Sequence, residues 1–87
     1  MEDIEWSDVS FVKRSEQRRK ALGSLEEELM PSEIAKITGM HQSHVSRALN
    51  ELREKNMVEL LNPDDKHGRL YRRTGKGEKI IEKLESR

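Results

Sequence analysis

A mainly helical domain carrying one small β-hairpin is the fold class the sequence predicts, and three observations predict it. Apolar residues recur at three- and four-residue spacing through the first two thirds of the chain. After Asn56 that period gives way to two short β-prone runs separated by a cluster of turn residues. Helical spacing then returns after Thr74. With 87 residues there is room for one domain and not for two.

The first helical candidate is SDVSFVKRSEQRRKALGSL. Ser7 is placed to cap it, with Asp8 in the first turn where an anion suits the helix dipole. At about 100° per residue, Phe11, Ser15, Arg18, Leu22 and Leu25 share one face. Arg18 in the middle of that stripe is expected to lay its stem on the core, with its guanidinium paired or bonded to a carbonyl. Gly23 weakens the end of the helix. Leu29 and Met30 could form a minimal strand.

Pro31 opens a short helix, PSEIAKIT, at a position where a missing N–H costs nothing. Ile34, Ala35 and Ile37 supply its apolar side, and Gly39 ends it, since glycine accepts the left-handed conformation of a helix stop. A longer helix follows in QSHVSRALNELREKN, with Val45, Ala48, Leu49 and Leu52 as its stripe and Asn56 as its stop. Two helices joined by a tight glycine turn make a helix-turn-helix. MVELL and RLYRR read as the strands of a hairpin, with NPDDKHG as a loop bearing basic residues at its tip. Thr74 can cap the last helix, where Ile80, Ile81 and Leu84 lie on one side.

Composition narrows the function. Cysteine is absent, which removes disulfides and thiolate zinc sites. No apolar stretch approaches the roughly 20 residues that span a bilayer, so no membrane partner is expected. The acidic start MEDIEWSDVSF lacks the basic region of a secretory signal, which predicts a cytoplasmic protein. Lys plus Arg and Asp plus Glu both total 17, but their placement is uneven. Residues 1–12 carry four acids and no base, whereas Lys66, Arg69, Arg72, Arg73 and Lys76 form a run of bases without an acid. A neutral chain with one basic face can still steer phosphates.

No nucleophile, base and orienting group stand at a recognisable spacing, so an enzyme is not expected. His41 and His44 are three positions apart, but two histidines without a third ligand do not complete a metal shell, and no metal or other cofactor is expected. TGKGE lacks the spacing of a phosphate-binding loop and reads as a helix start.

PSEIAKITGMHQSHVSRALNELREKNMVE resembles the helix-turn-helix core of the MarR and ArsR superfamilies. GRLYRRTGKGEKIIEKL resembles the wing and following helix of the same proteins, where a Y-x-x-T-x-K-G pattern is common. VKRSEQRRKAL is similar to the first helix of small archaeal regulators of this type. The resemblance runs from about Val9 onward. It implies a winged helix-turn-helix in the order helix, minimal strand, helix, helix, strand, strand, helix. Its parts would be one domain over 1–87, with the helix-turn-helix at about 31–56, the wing at about 57–73 and the last helix at about 75–86. The implied function is transcriptional regulation through double-stranded DNA. Two departures from the pattern stand out. Met30 occupies the place where Ser or Thr often caps the second helix. Arg73 replaces an apolar residue and is expected to snorkel outward or to add a base to the wing.

Within that frame the third helix is the expected reader. With Val45 in the core, Ser43, Ser46, Arg47 and Asn50 point away from it, and Gln42 and His44 flank them at the N-terminal end. Arg47 can bond guanine bidentately, and Asn50 or Gln42 can bond adenine, each worth ~1–3 kcal/mol against the wrong base. Lys66, His67, Arg69 and Arg72 on the wing suit phosphates or the minor groove, giving affinity and salt dependence more than sequence choice. Two rival readings stay open: a protein–protein interaction module, which zero net charge favours, and a non-specific architectural DNA binder. Ile4 and Trp6 before the first helix, with Ile80, Ile81 and Leu84 on the last, exceed what so small a domain is expected to cover. They predict a homodimer reading half-sites about one DNA turn apart.

Overall fold

The computed structural model describes residues 4–65 and 68–86. Among these residues, five helices and a two-stranded hairpin follow in the order α1 (Trp6–Lys13), α2 (Glu16–Ser24), α3 (Pro31–Thr38), α4 (Gln42–Glu54), β1 (Val58–Leu60), β2 (Tyr71–Arg73) and α5 (Gly75–Glu85). The fold class is the predicted one, mainly helical with a small hairpin. The single long first helix of the sequence reading is instead two helices that break at Arg14 and Ser15.

The break has a local cause. Ser15 is extended, and its hydroxyl accepts from the Arg18 backbone N–H at 3.2 Å, starting α2 afresh. Serine competes with helical backbone bonding in this way whenever it can act as a cap. In an unbroken helix the Phe11 carbonyl would take the N–H of Ser15, but that N–H goes to Val12 at 3.2 Å. Arg18 fills the vacancy, donating from Nη1 to the Phe11 carbonyl at 2.8 Å. The start of α1 also differs from the expected cap. Glu5 is the N-cap, its carbonyl accepting from the N–H groups of Asp8 and Val9, and Ser7 lies inside the first turn.

The helix-turn-helix follows the sequence signals closely. Met30 offers no capping oxygen to α3. Glu33 reaches back instead, its Oε1 accepting from the Met30 N–H at 2.8 Å. Gly39 ends α3 at φ +77°, and Asn56 turns the chain out of α4 at φ +61°, both in the region that glycine and asparagine tolerate best. Leu29 forms the minimal third strand, exchanging backbone bonds with Tyr71 at 3.1 and 2.9 Å.

β1 and β2 are antiparallel, with Val58 opposite Arg73, Glu59 opposite Arg72 and Leu60 opposite Tyr71. The Asn62 side chain closes the loop beyond them, donating to the Gly68 carbonyl at 2.6 Å and accepting from the Leu70 N–H at 2.7 Å. Thr74 caps α5 as expected, accepting from the Gly77 N–H at 3.1 Å, and its hydroxyl donates to the Asn56 carbonyl at 2.6 Å. Gly77 packs on the Met57 backbone so closely that a Cβ there would collide with the Met57 carbonyl oxygen. That contact ties the start of α5 to the end of the helix-turn-helix.

The core is assembled from every helix. Val12, Leu22, Ile34, Val45, Leu49, Leu52, Met57 and Ile80 are fully buried, and among the described residues no polar or charged one shares that burial. Ile80 and Ile81 are thus covered within the chain, and Leu84 packs against the same cluster. Trp6 is the residue of the expected surplus that stays outside, 70% exposed. Arg73 neither snorkels nor joins the surface of the hairpin. Its side chain is only 8% exposed, with Nε 2.9 Å from Glu78 Oε1 and Nη1 3.4 Å from the Leu22 carbonyl. The register turns Arg73 to the helical side of the hairpin, where its charge needs these partners. Among the described residues, no helix is long and apolar enough to cross a membrane.

Candidate nucleic-acid interface

The pitch of α4 sorts its side chains into three strips. Val45, Ala48, Leu49 and Leu52 are buried. Glu51 lies on the edge toward α2, where Arg18 Nε holds its carboxylate at 3.1 Å. The Arg18 guanidinium also stacks 3.7 Å above the centre of the Phe11 ring, with Lys55 Nζ 5.3 Å from the same centre. One arginine therefore clasps α1, α2 and α4 together, both pairing and bonding a carbonyl as its place in the stripe suggested.

The remaining strip faces away from the core and toward the hairpin. Gln42, Ser43, Ser46, Arg47 and Asn50 are exposed and His44 is half-buried. Gln42, Ser46 and Asn50 line one wall of an open cleft of about 350 Å³. Its other walls are Met30, Pro31 and Ser32 at the start of α3, and Gly68, Arg69 and Tyr71 from the hairpin. The structure thus brings three residues of the expected reading helix together with one base expected on the wing. Ser43 and Arg47 stand on the outer rim of the same helix.

The start of α3 is the part of this face that sequence reasoning missed. The backbone bridge between Leu29 and Tyr71 carries Met30, Pro31 and Ser32 to the hairpin. Pro31 marks a helix start by its own chemistry, and nothing in its spacing says what it faces. The other wing residues are dispersed. Arg72 is held across the strands by Glu59 at 3.1 Å, on the outward face of the hairpin. Lys66 and His67 lie outside the described residues.

No acidic residue lies between His41 and Asn50. Among the described residues neither Arg47 nor Arg69 forms an ion pair. The face is a strip of hydroxyls, amides and two guanidiniums with no carboxylate from His41 to Asn50. Such donors are complementary to base edges and phosphates. His41 and His44 meet edge to face with ring centres 5.6 Å apart, and no third His, Asp or Glu among the described residues joins them as a metal group.

Helix-turn-helix, hairpin and closing helix together define a winged-helix domain. Residues 6–87 match the family model described as the HVO_A0261 N-terminal domain, and the chain belongs to that family. Among solved structures it is similar to a MarR mutant from E. coli complexed with operator DNA, at 31% identity and a TM-score of 0.72, over 86% of this chain and 56% of that one. A MarR family transcriptional regulator from Silicibacter pomeroyi gives the same TM-score at 23% identity, over 90% and 54%. MepR from S. aureus in complex with DNA gives 0.72 at 20% identity, over 90% and 67%; these last two likenesses concern the fold. The chain thus spans little more than half the length of E. coli MarR. No curated protein matches it in sequence.

Proposed function

We propose that residues 1–87 act as one winged helix-turn-helix domain that binds double-stranded DNA sequence-specifically as a transcriptional regulator. The proposed parts are a helix-turn-helix at about 31–56, a wing at about 57–73 and a closing helix at about 75–86. The observation that carries this reading is the cleft in which Gln42, Ser46 and Asn50 face Arg69 and the start of α3, with no acid between His41 and Asn50. The operator DNA in the similar E. coli MarR structure supports it. α4 would enter the major groove, with Ser43, His44 and Arg47 beside the cleft residues. Arg69, Lys66 and His67, with Arg72 alongside, would contact the backbone or minor groove.

The regulator would act as a homodimer. Trp6, largely exposed on α1 with Lys83 Nζ 5.5 Å from its ring centre, is the feature of this chain that favours a second copy. Sedimentation at micromolar concentration would give twice the 10.2 kDa chain mass, and a purely monomeric profile would remove the dimer.

DNA binding is tested by titrating mixed-sequence duplexes with the wild type and with Arg47→Ala and Arg69→Ala. Weakened binding in both variants is expected. Unchanged affinity in both would retire the reading in favour of an interaction module.

A further inference from the structure

We infer that the operator half-site is a major-groove core of at most about four base pairs, in which one G·C pair lies between two A·T pairs. This rests on the DNA-binding reading above and adds the order, spacing and limit of what is read. Gln42, Ser46 and Asn50 follow at four-residue intervals on the wall of the cleft, while Ser43 and Arg47 occupy the neighbouring strip. From Gln42 to Asn50 the helix rises about 12 Å at 1.5 Å per residue. Bases on one strand are spaced about 3.4 Å along the duplex, so that reach covers no more than about four pairs.

Chemistry assigns the order within that reach. The two carboxamides stand at its ends, and a carboxamide matches the paired donor and acceptor of adenine. The guanidinium of Arg47 stands between them in height and matches the two acceptors of guanine. Ser43 and Ser46 are short and let the helix approach closely without fixing a base.

Two features mark Asn50 as the last residue of the assigned set. The cleft lining stops there, since no residue from Glu51 to Glu54 contributes to it. The next exposed residue in the outward direction of Ser43 and Arg47 is Glu54, about two turns beyond Arg47 and one beyond Asn50. A carboxylate at that place repels phosphates on the outward strip, while the exposed Arg53 leaves a cation on the cleft strip beside it.

Selection from a random duplex library with the wild type, Gln42→Ala, Arg47→Ala, Asn50→Ala and Glu54→Gln tests the assignment. The wild type should enrich a G·C pair with an A·T pair on either side within four positions. Arg47→Ala should flatten the G·C position alone, and each amide variant only its own flank, with discrimination falling between about fivefold and a hundredfold. Glu54→Gln should bind all duplexes more tightly and leave the motif unchanged. A wild-type motif without the flanking A·T pairs, amide variants that leave it intact, or loss of a motif position in Glu54→Gln would overturn the assignment while DNA binding stood. Retention of no duplex by the wild type would overturn the DNA reading itself.

Discussion

The two edges of α4 treat their polar side chains in opposite ways. On the edge toward α2, Glu51 is held by Arg18, and Arg18 is itself stacked on Phe11 and bonded to its carbonyl. On the edge toward the hairpin, Gln42, Ser46 and Asn50 are exposed, and the bases nearest them, Arg47 and Arg69, pair with no acid among the described residues. The first edge uses its charges to fix three helices against one another. The second keeps its donors and acceptors uncommitted in a concave surface, at no evident gain to the fold. Uncommitted polar groups are those that a ligand can satisfy without first breaking an internal bond.

That contrast is broken most severely from behind. Leu49 is fully buried beneath both edges, and Leu49→Ala should cost about 2–5 kcal/mol through lost burial and a residual cavity. Thermal or denaturant unfolding would show it, with DNA binding lost in proportion to the unfolded fraction. A smaller effect separates the edges themselves. Arg18→Ala should destabilise by about 1–2 kcal/mol, since it removes a cation–π contact and a hydrogen bond and frees Glu51. Asn50→Ala on the opposite edge should stay within about 0.5 kcal/mol of wild type. Equal losses from the two variants would dissolve the distinction.

The smallest effect belongs to the surface of α2. Lys20 Nζ lies 3.0 Å from Glu16 Oε1 one turn earlier. Its hydrogen bond and charge hold the Glu16 carboxyl below the usual carboxylate range. A folded-state value that is lowered means the pair stabilises at neutral pH and that its contribution fades as pH falls through the lowered value. Glu16→Gln should therefore melt marginally lower than wild type at neutral pH and coincide with it in strong acid. A difference that grew on acidification would contradict the sign.

Much of this fold is legible in the sequence because its signals are local. Pro31, Gly39, Asn56 and Thr74 each mark a boundary by their own backbone chemistry, and all four stand where expected. The break at Ser15 was less legible. The residue lies in phase with the apolar stripe, and its role as a cap depends on Arg18 taking the Phe11 carbonyl seven residues back. Arg73 misled for a similar reason, because its charge is accommodated by Glu78 on α5 and the Leu22 carbonyl on α2. The outward strip of α4 followed from periodicity alone. The cleft did not, since Ser32 and Arg69 meet it only through the pairing of Leu29 with Tyr71. Ile80 and Ile81 show the limit of counting apolar residues: seven elements in one core covered more of them than the composition suggested.

Amide chemical shifts of the isotope-labelled chain, followed while a mixed-sequence duplex is added, test the central claim most directly. Shifts concentrated at residues 30–32, 42–50 and 68–69, with 16–24 little changed, are the expected result. Shifts concentrated on α1 and α2, or none at duplex concentrations well above those of the protein, would contradict it.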